Sequence, residues 1–137
     1  MFFNNNLDKN ENNHFINVAA LLIHAAKIDE NYSNKEEEII RQTLIKIGVK
    51  NENINEILEK GKKIEEDSNQ ILDFTKEVKN MSHENKIKIV ETLWKIIYSN
   101  READIYETGL MRKLAGLLYI DSKTMGDIKE KIKKISE

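Results

Sequence analysis

The chain has 137 residues, 39% of them hydrophobic and 34% charged, with a formal net charge of −2, no cysteine, no proline and five glycines. This is one domain's length, sufficient for a core. The scarcity of proline and glycine argues against a turn-rich β-sandwich or barrel, the charge balance against a dedicated nucleic-acid binder, and the lack of cysteine excludes disulfides, thiolate zinc sites and a cysteine nucleophile.

The Asn-rich opening MFFNNNLDKNENN has neither a basic n-region nor a long apolar run, so it is not a signal peptide, and residues 1–13 read as a disordered lead. No stretch reaches the ~18 apolar residues that suggest a membrane span. The expectation is a cytoplasmic protein.

Seven helices follow, most behind a polar cap residue. The first covers about 14–28 behind Asn13. Its apolar residues surround the axis, which marks a central, buried helix. The second runs about 34–47 behind Ser33, with Ile39, Ile40, Leu44 and Ile47 as its stripe and Gly48 as its C-terminal stop. The third covers about 52–66, with Ile54, Ile57, Leu58 and Ile64 facing inward, and the fourth about 69–80. The fifth, about 83–99 behind Ser82, holds Ile89, Val90, Leu93, Trp94 and Ile97 and is the second buried helix. The sixth runs about 105–118 behind Asp104, and the seventh about 123–135, with Met125, Ile128, Ile132 and Ile135 at helical spacing. Gly109, Gly116 and Gly126 lie inside helices, where close helix–helix approach is the expected reason. No composition break divides residues 14–137, which form a single all-α bundle.

The bundle contains a repeat. At an offset of 71 residues, Glu36 falls on Glu107, Arg41 on Arg112, Ile40 on Met111, Ile47 on Leu118 and Val49 on Ile120. Each copy is an apolar stretch, an acidic corner and an amphipathic stretch. Corner one contains Asp29, Asn31, Ser33 and Glu36; corner two contains Asn100, Glu102, Asp104 and Glu107. Ser33 with Glu36, and Asp104 with Glu107, have capping-box spacing, which accounts for all four as helix starts. Asp29 and Asn100 need another reason, because an acidic group is disfavoured behind a helix C-terminus. The alternating oxygen donors resemble the first half of a calcium loop. The likeness then ends: position six is Asn34 or Ile105 instead of Gly, and position twelve is Ile40 or Met111 instead of Glu. Two readings stay open, capping alone or capping with a divalent cation, Ca²⁺ or Mg²⁺/Mn²⁺.

Other chemistry is thin. Glu11–His14 forms one E-x-x-H, whereas a carboxylate-bridged di-iron bundle needs two copies. His24 reads as a core or boundary residue, and Trp94 with Tyr98 as core. Lys60, Lys62 and Lys63, and the lysines of the last helix, read as solvated faces, with peripheral contact to an anionic membrane as the most they suggest. No phosphate-loop, nucleophile-elbow or zincin motif is present, and no enzyme is expected.

Together the corners, the buried helices and the run Leu93-Trp94, Tyr98, Glu107, Leu110-Met111-Arg112, Leu114-Ala115-Gly116-Leu117-Leu118 resemble the TerB-like family. That family comprises all-α tellurite-resistance domains and the N-terminal domain of a membrane-anchored J-protein. The resemblance implies a compact, non-catalytic helical domain linked to stress or metal response, with cation binding at its acidic loops and recruitment of a protein partner. Glu30 and Arg101 replace the glycine of the family's two Asp-Gly turns, and Asn100 replaces the second Asp. Corner one is therefore the better expected site and corner two the weaker. The alternative is a metal-independent helical interaction adaptor.

Overall fold

The computed structural model describes the chain over residues 2–27, 33–67, 72–99 and 105–136, with side chains over 14–27, 33–67, 74–76, 78–99 and 109–135. Among the described residues the fold is all-α: α1 (Phe2–Lys27), α2 (Asn34–Lys46), a 3₁₀ turn (Asn51–Asn53), α3 (Ile54–Asp67), α4 (Leu72–Val78), α5 (His83–Ser99), α6 (Ile105–Leu117) and α7 (Ser122–Ser136). None of these helices is long and apolar enough to cross a membrane.

The core forms around α1. Val18 to Ile23 are six successive residues without exposed surface, so every face of that segment is covered, as its all-round apolar sequence requires. α2, α3, α4 and α5 all pack on it. The second buried helix is α5, with Ile89, Val90, Leu93, Trp94, Ile96 and Ile97 inside. A buried hydroxyl pair ties it to α2. Thr92 donates to the Lys88 carbonyl, which leaves its oxygen to accept from Thr43.

The repeat is structural. The offset of 71 carries Asn34–Lys46 onto Ile105–Leu117 end for end. It also carries Ile54, Ile57, Gly61 and Ile64 of α3 onto Met125, Ile128, Ile132 and Ile135 of α7. The two most extensive packings, α1 on α3 and α5 on α7, are equivalent pairs. Even the helix stops correspond. After α2, Gly48 N–H donates to the Ile45 carbonyl and Val49 N–H to the Leu44 carbonyl; after α6, Tyr119 N–H donates to Gly116 and Ile120 N–H to Ala115. Each is a Schellman turn, which needs positive φ at its fifth residue. Gly48 supplies φ 123° and Tyr119 supplies φ 58°.

Three expectations need correction. The first helix begins at Phe2 instead of after Asn13, so the helical backbone continues through the Asn-rich lead. Once a helix is nucleated by packing, each further residue adds one hydrogen bond for one residue fixed. Second, among the described residues Gly109, Gly116 and Gly126 have no atom within 4 Å of where a Cβ would stand; the close approach is at Gly61, whose Cβ would lie 2.8 Å from Ala19 Cβ and 3.3 Å from Ala20 N. Third, Ile64 and its counterpart Ile135 are exposed, at 37% and 67%. Crossed helices diverge from their point of contact, and in α3 that point is Gly61.

Candidate functional site

Corner one is anchored where α2 begins. Ser33 takes up extended backbone (φ −97°, ψ 164°) and caps the helix. Its hydroxyl accepts from the Glu36 amide at 3.2 Å and donates to Glu36 Oε1 at 3.0 Å, while the Ser33 amide donates to the same oxygen at 3.1 Å. The full capping box is therefore made. Glu36 is only 1% exposed, a carboxylate drawn inside at the positive end of a helix. Next to it, Glu37 pairs with Lys62 of α3 at 2.7 Å, and the hydrogen bond to Glu37 raises the Lys62 pKa against the opposing effect of desolvation.

Of the first four candidate ligands the structure thus brings Ser33 and Glu36 together, in a cap. Asp29 and Asn31 lie outside the described residues. So do Asn100, Glu102 and Asp104 of corner two, and Glu107 falls in the first turn of α6 without a described side chain. Among the described residues, no group of three or more His, Asp or Glu side chains is placed to hold a metal. His24 of α1 sits 3.4 Å from Glu65 of α3, which also takes Lys27 at 2.8 Å. These contacts join two helix ends, and His24 packs beside the ring of Phe74.

A family model described as tellurite resistance protein TerB matches residues 15–130. The chain belongs to the TerB family. The TerB match spans both corners and both halves of the repeat, so the departures at Glu30, Asn100 and Arg101 stand within the family region. No curated protein and no solved structure matches the chain in the corresponding comparisons.

This TerB domain also carries a feature that motif reading missed. A cavity of about 620 Å³ opens between α5, α6 and α7, with Trp94, Met111 and Met125 in its walls and Arg112 and Lys129 among its polar residues. It is not a motif in either copy of the repeat. The available signal was a difference between copies: Leu44, Asn55 and Leu58 in the first half become Ala115, Gly126 and Lys129 in the second.

Proposed function

We propose that this TerB-family domain is a non-catalytic, tellurite- and stress-associated module of the cytoplasm that binds a divalent cation at corner one and engages a protein partner according to that state. The observation that supports the reading is Glu36, a buried carboxylate fixed at a helix start, in a corner whose preceding residues include Asp29 and Asn31. A hard divalent ion takes carboxylate, amide and hydroxyl oxygens of the kind this corner gathers in sequence. Asp29 and Glu36 would be the charged ligands, with Asn31 and Ser33 assisting. Corner two, with Asn100, Glu102, Asp104 and Glu107, would be weaker because Arg101 adds positive charge and Asn100 lacks one negative charge.

The test is thermal unfolding of the full chain in chelator and then in excess Ca²⁺, Mg²⁺ or Mn²⁺ at fixed ionic strength. Ligand at ~100 times Kd adds about 2.7 kcal/mol, which raises Tm by several degrees. The expected result is a selective rise that Asp29→Ala abolishes. A flat response sinks the cation reading. The second reading is a metal-independent helical adaptor, and the capping box favours it, because that motif alone accounts for Ser33 and Glu36.

A further inference from the structure

The cavity between α5, α6 and α7 has a counterpart position in the first half, between α1, α2 and α3. In the first half, Leu44 and Leu58 are buried where Ala115 and Lys129 stand in the second. Arg41 Nη1 donates to Asn55 Oδ1 at 2.6 Å, a link between α2 and α3. The equivalent of Arg41 is Arg112, and the equivalent of Asn55 is Gly126, which has no side chain to receive it. Two leucines and an asparagine are thus replaced by smaller or longer, charged residues. Gly116 and Gly126 border the resulting space with nothing within 4 Å of a would-be Cβ.

The exchange also changes the charge. Among the described residues neither Arg112 nor Lys129 has a carboxylate in ion-pair range; Lys129 Nζ instead lies 5.4 Å from the centre of the Trp94 ring. Among the described residues the one acid in the wall is Asp121, engaged in capping α7, where its Oδ1 accepts from the Thr124 amide at 2.7 Å. Trp94 is 2% exposed, and its buried indole N–H has no acceptor among the described residues. Among the described residues, the wall therefore combines apolar surface, a buried donor without an acceptor and two cations without a paired carboxylate. A volume of about 620 Å³ is that of a small-molecule pocket, in which a few polar groups fix orientation.

We propose that this cavity binds a small amphipathic anion, an apolar body carrying one carboxylate, with the carboxylate held by Arg112 and Lys129 and the apolar body against Trp94, Met111 and Ala115. Arg112 offers the planar fork that matches a carboxylate. None of the described residues that line the cavity, from Trp94 to Lys129, belongs to either acidic corner, and the proposal does not depend on cation binding there.

The test titrates the full chain with sodium octanoate, and in parallel with octylammonium chloride of equal chain length, following the emission of Trp94, the chain's single tryptophan. Octanoate is expected to give a saturable change that octylammonium does not. Gly126→Asn restores the partner that Arg41 has in the first half, and Ala115→Leu restores the leucine. Each is expected to weaken octanoate binding about tenfold or more, the effect of losing one charge-assisted hydrogen bond or a comparable apolar contact. Arg112→Gln with Lys129→Gln is expected to remove the preference for the anion. Melting curves of each variant establish that it is folded, and the two filling variants act from different helices, so one misfolded protein does not end the test. The proposal is overturned if octanoate gives no saturable change, if octylammonium binds as tightly, or if both folded filling variants keep wild-type affinity.

Discussion

Gly61 and Gly109 are both helical glycines, yet they should respond oppositely to alanine. At Gly109 no described residue stands near the new methyl, so Gly109→Ala should stabilise by up to ~1 kcal/mol through helix propensity. At Gly61 the new methyl meets Ala19 Cβ at 2.8 Å and the backbone of Ala20 at 3.3 Å. The overpacking cost of about 1–3 kcal/mol then outweighs the propensity gain. Urea unfolding of the two variants checks the signs, and Ala19→Gly should partly rescue Gly61→Ala, a coupling expected only for residues in contact. Tyr119 is a third such position. It occupies the left-handed turn that Gly48 occupies in the other half, 74% exposed, with Lys86 Nζ 5.8 Å from its ring centre. Tyr119→Gly should relieve about 1 kcal/mol of backbone cost, less the small cation–π term. A fall in the urea midpoint would mean that the ring contact outweighs the strain.

The caps set what the helices tolerate. Ser33→Ala removes the acceptor of the Glu36 amide and should cost about 1 kcal/mol, whereas Glu36→Gln keeps an oxygen facing Ser33. If the carboxylate serves the cap alone, the glutamine variant stays close to wild type in the thermal melt; a loss well beyond that of Ser33→Ala would show that its charge matters to the fold. The start of α7 gives a pH test. The amide and side chain of Thr124 hold the Asp121 carboxyl below its usual range, helped by His83 and Lys123 and opposed by slight desolvation. Its folded pKa lies below the unfolded value of ~3.9, so the stabilisation is present above that value and is lost as pH falls through the folded one. The effect is modest, because Asp121 is exposed. Asparagine still caps but does not titrate. Wild type should therefore exceed Asp121→Asn in urea midpoint near neutral pH, and the gap should close in acid; a gap unchanged down to about pH 2 would contradict the assignment.

At the scale of the whole molecule, duplication explains both the regularity and its exceptions. Each half contributes a buried helix, an amphipathic second helix and a third helix laid on the first, with α4 inserted between halves. Ala19 and Gly61 meet in the first half, and the equivalent residues of the second are Val90 and Ile132, both buried. Side chains at a crossing govern how near two axes come, and the second half carries the bulkier pair at these positions. That half holds the cavity, while at the equivalent positions of the first half Leu44 and Leu58 are buried and Arg41 bonds Asn55. The repeat thus keeps the helices in common and varies the side chains between them.

The sequence by itself determined the helices, most of their ends, the central role of α1 and α5, the repeat and the family. Periodicity, caps and helix stops are local properties, written within a few residues of where they act. His83–Ser99 fell where Ser82 and the apolar spacing placed it, and the Ser33–Glu36 box formed as its S-x-x-E spacing required. Only the tertiary structure decided what depends on the neighbour across a helix interface. Gly61, which no motif singled out, proved to be the close contact, and Ile64, apparently a core residue, lies half outside because α3 leaves α1 beyond Gly61. Trp94 reads as core from its spacing, and it is buried, yet it also walls a cavity. A helical period reports which face a residue occupies, but whether that face meets a leucine, an alanine or open space depends on a residue distant in the chain.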